Sequence, residues 1–211
     1  MSPKKIHYKR WYYNGKVYLP VEWMRNAPNT TQKSGAMKLQ TGLYATNKTN
    51  VSIDICKNQN SQSSTIPFIG QGRWGEYPSW LLGTSTIDHN YLFYGYGTTN
   101  LQQKSSCRIA NGERLHLQVL NGKLICNGTV FAAPAWGSYT QTRYPLQIFG
   151  STEGISYSLN ATIWNCQINE GDELIRDYVP AVNGNTVGLW DRVNNTFIGG
   201  TGGSSAAWNG D

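Results

Sequence analysis

The chain has little charge for its size. Asp, Glu, Lys and Arg make up 14% of its 211 residues, against about a quarter in an ordinary globular domain. That scarcity excludes a coiled coil or long-helix protein, which is built largely from Ala, Glu, Lys and Leu. No apolar run approaches the roughly 18 residues of a membrane-spanning helix, so none is expected. Only three histidines occur, His7, His89 and His116, and none has a partner at H-x-x-x-H spacing for zinc. The four cysteines, Cys56, Cys107, Cys126 and Cys166, form no C-x-x-C motif for metal or redox work. Three of them have apolar or alternating neighbours, so buried or half-buried free thiols on strands are expected. The start, Met1–Tyr13, is basic and lacks an apolar core, so it is not read as a secretory signal. A reducing cytosolic setting for assembly is consistent with both observations.

Glycine and aromatic residues are abundant instead: 23 Gly, 8 Trp and 13 Tyr. So many rings argue against a disordered chain. Asn-Gly occurs six times, at 14–15, 111–112, 121–122, 127–128, 183–184 and 209–210. The pair suits tight hairpin turns in which both central residues need positive φ. Between the turns lie short period-2 runs, such as Val51–Ile55 and Leu115–Val119, and a longer one at Ala161–Ile168. No stretch has apolar residues at helical spacing. Many short strands joined by regular turns predict an all-β fold, an antiparallel sandwich or barrel.

The positive charge sits at one end. Residues 1–38 hold Lys4, Lys5, Lys9, Arg10, Lys16, Arg25, Lys33 and Lys38 against Glu22 alone, while the other 173 residues hold 10 basic and 11 acidic groups. Three regions are therefore expected. Residues 1–35 form a basic, aromatic arm, with a small hairpin at Trp11–Leu19. Residues 36–200 form the sandwich. Residues 201–211 form a flexible Gly/Ser tail. The body has no basic excess with which to grip phosphates, so nucleic acid is not the expected partner. Within the arm, Lys4, Lys5, Lys9, Arg10, Trp11, Tyr12, Tyr13 and Trp23 are the candidate anchoring residues, since Trp, Tyr and Arg are the types that anchor interfaces. A chain lacking residues 1–25 is expected to fold.

The rest of the chain resembles a known domain. The sequence Leu117–Gly128 is similar to the strand, turn, strand, Asn-Gly step of concanavalin A-like lectin/glucanase (laminin-G-like) jelly rolls. Pro145–Gly150, Ile163–Ile168, Leu174–Pro180, Val187–Asp191 and Asn194–Phe197 follow in the order found at the end of such domains in bacteriophage structural proteins and gut-bacterial surface proteins. Upstream, Leu39–Gly42 and Asn50–Ile55 fit the opening strands. The resemblance covers roughly 39–200 and implies a concanavalin A-like antiparallel β-sandwich (jelly roll) carrying the basic N-terminal arm. It points to a non-enzymatic virion protein: a capsid decoration, head-fibre or tail-adhesin component assembled in the host cytoplasm. Other virion proteins held through the arm, a glycan and further copies of the chain are the expected partners. A bacterial surface glycan-binding module is the alternative, and a glycoside hydrolase a more distant one, because the fold hosts all three.

Catalytic signatures are wanting. A glycosidase of this fold needs carboxylates paired on one strand face, and the nearest match, Glu170-Gly171-Asp172-Glu173, falls in a hairpin turn and reads as solvated charge. There is no G-x-S-x-G elbow, and Gly95-Tyr96-Gly97 lacks the third glycine of a dinucleotide loop. No cofactor is expected. Calcium has candidate oxygen donors in Asp88, Asn90 and Asp191 but no D-x-D-x-D-G run. Arg176, Asp177 and Asp191 read as an Arg–Asp brace or turn cap, and His116 as an exposed strand residue. The segment Gly70–Trp80 places Arg73, Trp74, Tyr77 and Trp80 among glycines. Aromatic faces beside fixed polar groups suit a sugar ring, so these four are the candidate glycan-binding residues. The alternative is a loop tucking its rings onto the sandwich or meeting another copy.

Overall fold

The computed structural model describes residues 9–26, 37–58, 66–71, 79–84, 90–97, 104–131, 144–150, 160–199 and 206–208. The first strands are β1 (Trp11–Tyr13), β2 (Lys16–Pro20), β3 (Met24–Asn26), β4 (Leu39–Gln40) and β5 (Thr49–Lys57). Next come β6 (Ile66–Gln71), β7 (Ser79–Thr84), β8 (Tyr91–Gly97) and β9 (Lys104–Arg108), then β10 (Arg114–Leu120), β11 (Lys123–Cys126), β12 (Thr129–Phe131) and β13 (Gln147–Ile148). The last are β14 (Ala161–Glu170), β15 (Glu173–Asn183), β16 (Thr186–Asp191), β17 (Thr196–Gly199) and β18 (Ala206–Trp208). Every pairing is antiparallel, and no helix occurs among the described residues. The protein is an all-β sandwich of a twelve-stranded and a six-stranded sheet, an architecture compatible with a jelly roll.

The period-2 runs place the core. In β5, Val51, Ile53 and Ile55 face inward while Ser52 and Asp54 face out. In β10, Leu115, Leu117 and Val119 do the same, with His116 and Gln118 outside. Phe68, Trp80, Leu82, Leu92 and Tyr94 of the smaller sheet meet them in one continuous cluster. Each such side chain, fully removed from water, contributes about 1.5–3 kcal/mol.

The smaller sheet runs β4-β13-β6-β7-β8-β9. The larger one forks. β14 pairs with β15 from Cys166–Tyr178 to Glu170–Glu173, then parts from it after a bulge between Ile163 and Asn165 and pairs with β3 instead. β15 continues, paired with β16 on its other side, and takes β2 as its new neighbour at Ala181 and Val182. Pro180 stands at the fork. Its carbonyl accepts from Val21 N at 3.1 Å, so its ring nitrogen faces the same gap. The missing N–H falls just beyond the last register pair of the β2 ladder, at Ala181 and Pro20, so no interior ladder bond is lost.

Residues Lys16–Asn26 thus fill the wedge between two parting strands. The expected boundary at residue 35 does not divide the described chain: Trp11–Asn26 are strands of the larger sheet. The apolar faces of these short strands need partners that a local hairpin alone cannot supply. The tail differs from expectation in the same way, since Ala206–Trp208 pair with Met24–Asn26 as a further strand. Trp208 packs against the core, which draws the segment in.

Candidate functional site

The outward residues of the larger sheet form three polar rows. One reads Gln118, Ser52, Gln167, Asp177; the next His116, Asp54, Asn165; the third Arg114, Cys56, Thr162, Arg25. The bulge in β14 leaves Trp164 as an extra residue opposite β5, and the inward burial of Ile163 and Cys166 leaves both Trp164 and Asn165 facing outward. Asp54 sits at the centre. Its Oδ1 lies 2.6 Å from His116 Nδ1, and its Oδ2 accepts from Arg114 Nη2 at 2.8 Å and from Asn165 Nδ2 at 3.0 Å. The Arg114 guanidinium lies 4.4 Å over the Trp164 ring, a favourable cation–π geometry. Burial pushes the Asp54 carboxyl up, but hydrogen bonds from His116, Arg114 and Asn165, with the His116 charge, outweigh it and hold the group below its ordinary value. The His116 backbone is strapped to the next turn: its N–H donates to Asn127 Oδ1 at 2.8 Å, and its carbonyl accepts from Asn127 N at 2.9 Å. A fixed carboxylate, an imidazole, a guanidinium and an indole therefore share one outer face, equipped to hydrogen-bond a polar ligand against an aromatic edge.

A second surface lies at the fork. Trp11, Tyr13 and Tyr18 turn one face of the β1–β2 hairpin onto Trp190 of β16. Trp11 stacks on it with centroids 5.3 Å apart and planes 3° from parallel, and Tyr13 meets it edge-on at 6.4 Å. Tyr18 touches both Trp190 and Phe197. This small cluster lies on the outer side of the sheet, apart from the main core. The opposite face of the hairpin carries Tyr12, Val17 and Leu19, exposed by 69%, 39% and 41%. Leu19 pairs with Val182, whose side chain belongs to the main core, so this stripe continues the sandwich's inner face out into solvent. Lys9, Arg10 and Lys16 of the same segment are exposed.

The expected Arg–Asp brace is present between Arg176 and Asp191, and a second one joins Arg192 to Asp177. Arg192 reaches Asp177 through two bonds, Nε to Oδ2 at 2.7 Å and Nη2 to Oδ1 at 3.0 Å, while Arg176 Nε stands 3.4 Å from Asp191 Oδ2. Asp191 also caps the turn after β16, accepting from Val193 N at 3.0 Å and Asn194 Nδ2 at 2.7 Å. These groups are committed to holding a turn. Glu170 is bound rather than merely solvated: Thr46 Oγ1 and Thr49 Oγ1 donate to its two oxygens. Asp172 and Glu173 are exposed, as the turn reading required.

Of the four candidate glycan residues, Arg73, Trp74 and Tyr77 lie outside the described residues. Trp80 requires a correction. It is fully buried in β7, with its ring edge-on to Tyr94 at 5.5 Å. A stacking platform needs an open ring face, and this ring is spent on the core. Among the anchoring candidates, Lys4 and Lys5 lie outside the described residues. Lys9, Arg10 and Tyr12 are exposed, Trp11 and Tyr13 pack on Trp190, and Trp23 is half-buried between β2 and β3. His7, His89 and Asp88 also lie outside the description. Asn90 uses its carbonyl to accept from Ile109 N at 2.7 Å, and no group of three metal-ligating side chains occurs among the described residues. All four cysteines are free and buried on strands, as the sequence indicates. The sequence reading passed over Trp164, because a period-2 pattern assigns it a face without revealing the bulge. It also passed over Val17 and Leu19, whose alternation with Tyr18 was the available signal.

No family model matches the chain, and no curated protein is significantly similar to it.

Proposed function

We propose that this chain is a non-catalytic assembly protein that docks through its N-terminal hairpin and displays a β-sandwich, most specifically a bacteriophage virion component of the concanavalin A-like jelly-roll type. The observation that carries the reading is the two-sided hairpin. One face is consumed by Trp190. The other offers Tyr12, Val17 and Leu19 to solvent, and Lys9, Arg10 and Lys16 are exposed along the same hairpin segment. An exposed apolar stripe with a charged rim is the surface of a protein–protein contact, and aromatic anchors suit it. Its partner would be another particle protein with an apolar patch and an acidic rim. The resemblance of the motifs in residues 39–200 to those of phage jelly rolls is what supports the virion context.

The test is incorporation. Particles formed with the wild-type chain contain it, whereas particles formed with a Tyr12→Glu, Leu19→Glu variant of unchanged circular dichroism do not. Equal incorporation of the variant, or absence of the wild-type chain from purified particles, overturns the reading.

A second reading, glycan binding, is favoured by the Trp164 face rather than by the Gly70–Trp80 segment. Asp54, His116, Arg114 and Asn165 are held in place beside an aromatic ring, the combination of fixed polar groups and ring that orients a polyol. Trp164→Ala abolishes glycan-array binding under this reading. Array binding that survives the substitution rejects the face.

A further inference from the structure

We infer that a second copy of this chain receives the exposed stripe of the hairpin, in a head-to-tail contact with the turns at the far end of β15. The inference rests on the docking reading of the hairpin and names its partner. Six of the nine exposed large apolar side chains among the described residues fall into two groups. Tyr12, Val17 and Leu19 are the hairpin stripe. Tyr44, Leu174 and Val193, exposed by 47%, 38% and 42%, belong to the turns at the start of β15. Leu120 and Val130 lie instead on the β10–β12 edge, where Leu120 pairs with Lys123, a poor match for a basic hairpin.

Three segments build the receiving end, and hydrogen bonds tie them together. The loop that crosses from β4 to β5 carries Tyr44, the turn from β14 into β15 carries Asp172, Glu173 and Leu174, and the turn after β16 carries Val193. Gly171 N donates to Lys48 O at 2.8 Å, Asn50 Nδ2 to Gly171 O at 3.0 Å, and Asn194 Nδ2 to Ile175 O at 3.1 Å. A surface already fixed in this way loses little freedom when it is covered. Its charge is acidic. Glu170, Asp172 and Glu173 stand against Lys48, because Arg176 and Arg192 are paired with Asp191 and Asp177. Residues 9–20 hold Lys9, Arg10 and Lys16 and no acid. The two surfaces therefore match in both respects that set partner choice, apolar contact and opposite charge.

One copy cannot bring its own two surfaces together. The hairpin joins β15 at Ala181 and Val182, and Asn183 Nδ2 donates to Val17 O at 2.5 Å. Leu174 lies eight residues earlier on the same strand, a separation of roughly 26 Å at the rise of a β-strand. Because β2 runs antiparallel to β15, the Asn14-Gly15 turn projects past Asn183 and further from Leu174. The contact is thus between different patches of neighbouring copies, and such a contact either closes into a ring or runs on as a filament.

The test is a charge swap on the purified full chain, read by analytical ultracentrifugation over a range of concentrations. The wild-type chain should sediment as multiples of the single-chain mass, with association weakening as salt is raised. A variant carrying Asp172→Lys and Glu173→Lys, and another carrying Lys9→Glu and Lys16→Glu, should each need more than about tenfold higher concentration to associate. All four positions are exposed, and circular dichroism checks that both variants fold. Mixing the two variants should restore association, because each then meets an end of opposite charge. A wild-type chain that stays monomeric at every concentration overturns the inference, while incorporation into particles still decides the docking reading. Association of the Asp172→Lys, Glu173→Lys variant at wild-type strength, as a hairpin-to-hairpin contact would give, overturns it too, as does a mixture that stays monomeric. A chain that self-associates through these ends but is absent from particles keeps the inference and removes the virion reading.

Discussion

Gly188 stands where the backbone leaves no room for a side chain. A Cβ there would lie 2.3 Å from the Ile198 carbonyl oxygen and 2.5 Å from the Phe197 ring. The carbonyl belongs to the paired strand and cannot swing away, so Gly188→Ala should cost about 1–3 kcal/mol, read as a lower urea midpoint at unchanged slope. Asp54 makes a different prediction. Its folded-state carboxyl is held below its unfolded value, so its contribution is present above roughly pH 4 and is lost as acid protonates the folded form. Arg114 is half exposed, which screens the pair. Asp54→Asn should therefore cost less than about 1 kcal/mol at neutral pH, and urea melts should show the two proteins converging below pH 4. Convergence on raising the pH would contradict the assignment.

Three Asn-Gly pairs, Asn14-Gly15, Asn121-Gly122 and Asn127-Gly128, have both residues at positive φ, as the dipeptide implies. At Asn111-Gly112 and Asn183-Gly184 only the glycine does. There the chain uses the same letters for another turn, because strand register decides how many residues must bend. Local chemistry was thus legible as punctuation, while turn type depended on partners far along the chain.

At the scale of elements, the β1–β2 hairpin was legible and its place was not. The dipeptide Asn14-Gly15 and the alternation around it announce two short strands. That β2 pairs with β15, and that Trp11 lies flat on Trp190, depends on contacts more than 150 residues distant in sequence. The same holds for Trp80, where glycine neighbours suggested a loop but β7 carries the ring into the core. Because the hairpin covers Trp190, Trp11→Ala should cost about 1–3 kcal/mol through lost stacking and burial, measurable as a lowered melting temperature. Deletion of residues 1–25 removes β1, β2 and nearly all of β3, and leaves the fork between β14 and β15 unfilled. The expectation that the truncated chain folds is accordingly replaced. It should melt well below the full chain and bind a hydrophobic dye. A truncated protein with unchanged melting temperature would show that the wedge contributes nothing.

For the whole molecule, the fold class was the most legible property. Six Asn-Gly pairs, period-2 runs and the absence of helical spacing pointed to two antiparallel sheets, and two sheets are found. The outer-face cluster was scarcely legible. His116 was visible as an exposed strand residue, but its meeting with Asp54, Arg114 and Trp164 joins three strands drawn from distant parts of the sequence. A topology so dominated by remote pairing must close large loops before most contacts reward it. Refolding should accordingly be slow, in the millisecond-to-second range or beyond, which stopped-flow tryptophan fluorescence would measure. Microsecond refolding would be inconsistent with the forked sheet.

The wedge of Lys16–Asn26 also sets a timetable for the newborn chain. These residues leave the ribosome well before the strands that receive them, Ala161–Ile163 and Ala181–Val182. At about 5–20 residues per second, Trp11, Tyr13, Tyr18 and Met24 wait roughly ten to thirty seconds without their native cover. During that interval the segment is a hydrophobic lure for chaperones and for neighbouring nascent chains on the same message. Codon choice between the segment and its receivers, which alters no residue of the finished protein, should therefore change the yield of soluble product.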